Sequence, residues 1–190
     1  PDQAGMDGAQ EIYRLVSELN QGDILIALIS GGGSSLLTLP QAGISIEDMR
    51  KTTEALLRSG APIEEMNVVR KHLSAIQGGN LARLAITRGA RVEALLISDV
   101  TGDAPADIAS GPCAPDYSSY QDALNILNKY HLGSDSIPPS VLSHLQRGIA
   151  GEVPETLKEA DLQNTAVSNH VIATAYKSLE AAAEYVRTQG

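Results

Sequence analysis

The sequence of 190 residues contains no phenylalanine, no tryptophan and a single cysteine, Cys113. The core must therefore be built from leucine, isoleucine, valine and alanine, without the large aromatic side chains that dominate many cores. One cysteine excludes an internal disulfide. It is typical of a protein in a reducing compartment, so a cytoplasmic location is expected.

Long apolar runs and positive charge are also scarce. The longest apolar run falls far short of the ~20 residues that a membrane helix requires, so no membrane association is expected. The 14 basic residues are outnumbered by 23 acidic ones, which gives a net charge of −9 and argues against nucleic acid as a partner. A small anionic ligand stays compatible with this charge, because a local field can oppose the overall one.

What the sequence does contain is an apolar run that ends in three glycines and two serines, at residues 24–35 (ILIALISGGGSS). So short a run is typical of a parallel strand that is covered on both faces. Glycine allows a sharp turn and a close approach of ligand to backbone. A helix that opens near Ser34 would direct free N–H groups at the turn, which predicts an anion site at Ser30, Gly31, Gly32, Gly33 and Ser34. The alternative is a tight connection that binds nothing.

Three familiar motifs do not fit this glycine turn. A Walker loop requires lysine after its last glycine, where this chain has Ser34. A dinucleotide fingerprint requires its third glycine at the position of Leu36. The nucleophile elbow Gly-x-Ser-x-Gly of serine hydrolases is absent as well. A generic anion site remains.

Hydrophobic periodicity predicts an α/β fold with a parallel sheet. Strands are predicted at residues 24–30, 92–100 and, more weakly, 165–168, with helical patterns between them. Helices are predicted after Ser45 and after Pro62, and at 81–88, 119–130, 139–148 and 170–188. Ligands of such sheets bind at the carboxyl ends of the strands, so the glycine turn and the loop after the second strand should share one edge.

That second loop is acidic. Asp99 is predicted at the end of the strand and Asp103 just past Gly102. Their carboxylates can hold Mg²⁺ together with phosphate oxygens, or accept a proton from a substrate hydroxyl. The alternative is that both merely cap turns. Asp107 and Asp116 lie farther along and are expected to be solvated.

The helix after Pro62 carries polar residues on the face opposite its buried stripe. Helical spacing groups four of them there: Asn67, Arg70, Lys71 and Ser74. Arginine offers a planar fork to a carboxylate or phosphate, and lysine offers a mobile charge. A simply solvated surface is the alternative. His72 is expected to be a structural hydrogen-bonding residue, and Cys113 to be inert.

Three segments together resemble one family. They are residues 29–37 (ISGGGSSLL), 65–82 (EMNVVRKHLSAIQGGNLA) and 96–112 (LISDVTGDAPADIASGP). In this order, and over essentially the whole chain, they are similar to the type II glycerate kinases, also called the MOFRL family. Members transfer the γ-phosphoryl group of ATP to glycerate, generally giving 2-phosphoglycerate. The family's amino-terminal domain is Rossmann-like, which implies a three-layer α/β/α fold with a mainly parallel sheet.

The resemblance implies that residues 1–190 form a single α/β domain, a fragment of the amino-terminal domain of a longer two-domain kinase. A glycine-rich segment with its lysine and a carboxyl-terminal domain would lie outside it, so the fragment alone is expected to be inactive. ATP and Mg²⁺ are implied as cofactors, glycerate as substrate and the carboxyl-terminal domain as partner. A homodimer is left open.

Residue roles follow from the same resemblance. The glycine turn would cradle an anionic group, and Arg70 and Lys71 would bind the glycerate carboxylate or a nucleotide phosphate. Asp99 or Asp103 would hold Mg²⁺ or orient the attacking hydroxyl. Three further residues complete the expected binding set: Asn67, Ser110 and Gly111.

The chain departs from the family pattern at four positions. Basic residues are more usual at Gln77 and Asn80, an acidic one at Ala104 and threonine at Cys113. Two rival functions stay open. One is an NAD(P)H-dependent hydroxypyruvate reductase, against which the failed dinucleotide fingerprint stands. The other is a metabolite-binding domain without catalysis, which the changes at Gln77 and Asn80 mildly favour.

Overall fold

A parallel sheet organises the fold in the computed structural model, which describes residues 2–163 and 165–189. Its strands are β1 (Ile24–Ser30), β2 (Arg91–Ile97) and β3 (Val167–Ala173), in the spatial order β1-β2-β3. The register places Ser30 beside Ile97, so β1 and β2 end at the same edge. The predicted α/β fold class is confirmed.

Helices occupy the connections. They are α1 (Gln3–Ser17), α2 (Gly33–Leu36), α3 (Ile46–Ser59), α4 (Ile63–Leu73), α5 (Asn80–Thr87), α6 (Tyr120–Lys129), α7 (Pro139–Ile149) and α8 (Ala175–Gln189). Local sequence sets several boundaries. Reciprocal capping boxes start α3 at Ser45 and Asp48, and α6 at Ser119 and Asp122. Within the described ranges, no helix is long and apolar enough to cross a bilayer.

The end of the chain differs from the prediction. A strand was expected at 165–168 and a helix from His170, but β3 runs to Ala173 and pairs with β2. Val171 and Ile172 are β-branched and favour the extended backbone of a strand. In the same way β2 ends at Ile97 rather than residue 100, because the Ser98 hydroxyl hydrogen-bonds the backbone of Val100 and begins a turn.

Two apolar clusters form the core. One lies between the sheet and the helices α1 and α5, and includes Ala27, Val92, Ala94, Leu96, Ala9, Val16, Leu81 and Ala85. The other joins α3, α4, α6 and α7, and includes Met49, Leu56, Val69, Leu73, Leu127, Val141 and Leu145. Aliphatic side chains dominate both, as expected, with Tyr120 as the large aromatic member of the second cluster.

The opposite face of β1 is open. Ile26 is 65% exposed and Leu28 is 78% exposed. The expectation that this strand is covered on both faces is therefore wrong for the described chain. A short apolar run indicates a strand whose two faces can both be buried. It does not indicate which part of the protein packs on each face.

Candidate functional site

The glycine turn and Asp99 lie side by side where β1 and β2 end. A Cβ added to Gly31 would stand 1.9 Å from Oδ2 of Asp99. A side chain at this position would therefore displace the exposed Asp99 carboxylate, which occupies its place. Ser30, the last residue of β1, is exposed at this edge. The expected meeting of the two loops at one edge of the sheet is what the structure shows.

The helix that follows the turn is short. Gly32 has the left-handed backbone (φ +82°) and α2 comprises four residues, from Gly33 to Leu36. The N–H groups of Ser35 and Leu36 bond the Gly32 carbonyl at 3.1 and 3.4 Å. A helix does begin near Ser34 as predicted, but one turn aligns few peptide dipoles. An anion here must therefore be held mainly by loop N–H groups and side chains.

The loop that contains Ala109 and Ser110 packs against α2 at Gly33 and Ser34. Oγ of Ser34 and Oγ of Ser110 lie 2.8 Å apart, and a Cβ on Gly33 would stand 2.7 Å from Cβ of Ala109. Ala109 and Ser110 both have positive φ, +52° and +59°. Non-glycine residues in this region cost about 1–3 kcal/mol each and persist where the surroundings impose them.

Backbone hydrogen bonds from the two glycines that precede α5 hold this loop in place. The N–H of Gly78 donates to the Ser110 carbonyl at 3.0 Å, and the N–H of Gly79 donates to the Gly111 carbonyl at 2.7 Å. Ser110 and Gly111, both predicted binding residues, are thereby fixed beside the glycine turn.

Arg70 reaches the glycine turn from α4. Its guanidinium donates to the Ser34 carbonyl and, at 3.4 Å, to Oδ1 of Asn67. Burial lowers the pKa of Arg70, which nevertheless stays far above neutral. The structure thus joins three predicted site residues, although the Arg70 fork is directed partly at backbone.

Gln77 is a residue at this site whose role sequence reasoning missed. Its Nε2 donates to the carbonyls of Ser34 (3.0 Å) and Leu37 (3.3 Å). Gln77 is buried, and its Oε1 has no hydrogen-bond partner among the described residues. In the sequence, Gln77 was notable only because the type II glycerate kinases more usually have a basic residue at this position. Nothing in its spacing indicated a contact with a residue 43 positions earlier.

Lys71 is buried rather than solvent-facing. It is 6% exposed, and Ser74 of the same predicted polar face is fully buried. Nζ of Lys71 lies 3.4 Å from Oδ1 of Asp116 and 3.9 Å from Oδ1 of Asp107. The exposed polar face expected for α4 is therefore corrected at these positions. Helical spacing shows which residues share a face, but not that a distant loop covers it.

Asp116 is buried, contrary to the expectation of a solvated side chain. Its carboxylate accepts hydrogen bonds from Oγ of Ser118 (2.9 Å) and Oγ1 of Thr156 (3.0 Å). Burial acts to raise the pKa of Asp116, but Lys71, His72 and these hydroxyls together lower it. Asp107, by contrast, has a side chain that is 61% exposed, as expected.

His72 and Cys113 agree with their expected structural roles. Nδ1 of His72 lies 2.7 Å from the Val68 carbonyl oxygen, and Nε2 lies 2.9 Å from Oε1 of Glu155. Cys113 is completely buried, and burial raises the pKa of its thiol to about 12.

Asp99 and Asp103 are the candidate metal ligands. Asp99 is exposed beside the turn, and Asp103 has a left-handed backbone (φ +54°). Among residues 2–163 and 165–189, no ion pair or hydrogen bond links the Asp103 side chain to Asp99 or to the glycine turn. The same residues contain no group of three side chains that could bind a metal ion. One or two carboxylates suit Mg²⁺ only when phosphate oxygens and water complete its shell.

With this geometry established, similarity to known proteins identifies the family. Residues 1–146 match a family described as a domain of unknown function, DUF4147. The chain belongs to this family. A glycerate 2-kinase from Pyrococcus horikoshii is 45% identical over 190 residues, which are 100% of this chain and 42% of that protein. The resemblance to the type II glycerate kinases is thereby confirmed.

Two further similar proteins illustrate the range of names and the fold. A protein from Agrobacterium vitis with the name hydroxypyruvate reductase is 44% identical over 161 residues, covering 80% of this chain and 36% of its own length. A crystal structure of a glycerate kinase from Thermotoga maritima superposes with a TM-score of 0.83 at 39% identity, covering 100% of this chain and 42% of that one. The chain spans about two fifths of the length of these relatives.

Proposed function

We propose that this DUF4147 chain is part of a kinase that transfers the γ-phosphoryl group of ATP to glycerate, giving 2-phosphoglycerate. The observation that carries the proposal is the contact between the glycine turn and Asp99 at the carboxyl edge of the sheet. Arg70 and Ser110 meet the same turn at Ser34. The kinase names of the similar proteins supply the substrate and the reaction class.

Phosphoryl transfer depends mainly on positioning and on neutralising phosphate charge. The N–H groups of residues 31–34 would hold an anionic group, because this turn projects no side chain at its glycines. Arg70 supplies a charge at the turn through the N–H groups that do not contact Ser34. Lys71 would face the substrate carboxylate or a phosphate from the neighbouring side. Asp99 would accept the proton of the attacking hydroxyl.

The remaining candidates would line the same pocket. Ser30, Asn67, Ser110 and Gly111 would contact substrate or nucleotide. In the alternative role, Asp99 with Asp103 would hold the Mg²⁺ that arrives with ATP. When bound, that ion would supply positive charge that offsets the negative charge of the phosphates. We place the enzyme in the cytoplasm, in keeping with its single cysteine.

The partner that we propose is the remaining polypeptide of the longer kinase. An apolar groove of about 470 Å³ lies between α1 and β1, lined in part by Ile12, Leu15, Ile26 and Leu28. An exposed apolar surface of this kind is typical of an interface. It adjoins the glycine turn, because Gly31 and Gly33 also line it.

The experiment is a direct comparison of two reactions with the purified full-length enzyme. Release of ADP with glycerate, and the ³¹P NMR signal of 2-phosphoglycerate, are expected. Oxidation of NADH with hydroxypyruvate is not expected. The reverse pattern would establish the reductase instead, and glycerate binding without either reaction would establish a binding domain. The isolated 190-residue chain serves as a control and should show no turnover.

A further inference from the structure

Lys71 lies between two carboxylates that differ sharply in their surroundings. Asp116, 3.4 Å from Nζ, has a side chain that is 3% exposed. Asp107, 3.9 Å from Nζ, has a side chain that is 61% exposed. The ammonium therefore has a buried inner partner and a solvent-facing outer partner.

Asp116 is held from several directions. The backbone N–H of Asp116 donates to the Leu157 carbonyl at 2.7 Å. The backbone carbonyl of Asp116 accepts a hydrogen bond from Nζ of Lys158 at 3.0 Å. The hydroxyls of Ser118 and Thr156 donate to its carboxylate. Because Asp116 is held both at its backbone and at its carboxylate, it cannot follow Lys71 if the lysine moves, so it acts as a fixed anchor.

Asp107 is much freer, and it stands next to the candidate site. It directly precedes the short turn Ile108–Ser110, whose last residue contacts Ser34. An exposed carboxylate contributes little to the energy of an ion pair and can turn into water at little cost. An anion that enters the site could therefore take its place beside Nζ.

We infer that Asp116 is a positioning residue that holds the Lys71 ammonium beside Asp107 and the Ile108–Ser110 turn, and that Asp107 is a counter-ion which an anionic substrate displaces. The inference rests on the proposed function for the identity of that anion, a carboxylate or phosphate. The two carboxylates beside Lys71 should therefore have opposite effects on anion affinity. Removing the inner charge should weaken anion binding, and removing the outer charge should strengthen it.

Steady-state kinetics of the full-length enzyme form the first arm of the test. Asp116→Asn should raise the KM for glycerate by ~10-fold or more while changing kcat less, since a binding charge is lost. Asp107→Asn should lower that KM by up to about fivefold, the worth of an exposed ion pair. Asp135→Asn, at another exposed aspartate, is the matched control and should leave KM unchanged.

A merely structural Asp116 would give a different result. It would lower the melting temperature and the yield of active enzyme but leave KM unchanged, and this outcome would overturn the inference. If Asp116→Asn does not fold, Thr156→Val removes one donor to the same carboxylate and should raise KM in the same direction. An unchanged KM in both Thr156→Val and Asp107→Asn would also overturn it.

The second arm does not depend on turnover. Lysine labelled with ¹³C at Cε and ¹⁵N at Nζ gives an NMR signal for Lys71, assigned by its loss in Lys71→Arg. Inorganic phosphate and glycerate are titrated separately, and each should shift this signal at lower concentration in Asp107→Asn than in the parent. A response without kinase activity would support the inference and refute the proposed reaction. No response to either anion would overturn the inference itself.

Discussion

The Asp99 carboxylate stands where a side chain of Gly31 would be, with Oδ2 only 1.9 Å from the place of the missing Cβ. This contact joins the ends of two neighbouring parallel strands. It also brings a proton acceptor to within van der Waals distance of a turn that lacks side chains. The chemistry proposed for this edge depends on that closeness.

Gly31→Ala tests the contact through its space requirement. Gly31 does not have positive φ, so the substitution adds bulk without backbone strain. The new methyl group should displace Asp99 and lower kcat/KM of the full-length enzyme by about 100-fold, as misplacement of a reacting group by about 1 Å does. Gly133→Ala is the control, because a Cβ there meets nothing within 4 Å. Equal activity of the two variants would disprove the importance of the contact.

Arg70→Ala tests the link between α4 and the glycine turn. It removes both a positive charge and the donor to the Ser34 carbonyl, so turnover should fall by about 10²–10³-fold, as for loss of one preorganised donor. The comparison is Arg58→Ala, whose side chain is 83% exposed and pairs only with Glu54 at 3.8 Å among the described contacts. Retention of full activity in Arg70→Ala would remove this residue from the mechanism.

Glu155 should make stability depend on pH in the acid range. Burial acts to raise its pKa, but hydrogen bonds from His72 and from the N–H groups of Tyr120 and Thr156 outweigh this and lower it from 4.5 to about 2. Because the folded pKa is depressed, the stabilisation is present above pH 4.5 and is lost as pH falls towards 2. Urea unfolding at several pH values should show this fall, and Glu155→Gln should flatten it. An unchanged slope in the variant would contradict the assignment.

Cys113 should be unreactive in the folded protein. Its thiol is buried and its pKa is raised to about 12, so almost no thiolate exists near pH 8. A thiol reagent should therefore label Cys113 only after denaturation. Ser178→Cys, on the exposed helix α8, provides a second thiol that should react at once in the native state. Rapid labelling of Cys113 itself would show that the loop around it opens.

The sequence predicted features that depend on near neighbours. The apolar run of β1, the start of α3 after Ser45 and the meeting of the glycine turn with Asp99 all follow from local pattern and from the rule for parallel strands. Those predictions needed no knowledge of how distant segments pack. Each involved either consecutive residues or the shared edge of two adjacent strands.

Burial of polar residues could not be predicted in the same way. Lys71 and Asp116 are 45 positions apart, and each by itself has the sequence signal of a solvated side chain. Part of the cover comes from a later segment, since Thr156 donates to the Asp116 carboxylate and the Leu157 carbonyl accepts from the Asp116 N–H. Gln77 and Ser34 are likewise distant in sequence. The roles of the site residues in binding and catalysis stay predictions.

Asp99→Asn removes the carboxylate on which the proposed phosphoryl transfer depends, and its turnover is the decisive measurement. In the full-length enzyme, with ATP, glycerate and Mg²⁺ saturating, the amide can neither accept the hydroxyl proton nor neutralise a cation as the carboxylate does. We expect a kcat at least ~100-fold below the parent value, with an unchanged melting temperature, since Asp99 is exposed. A kcat close to that of the parent would contradict the proposed role of this carboxylate.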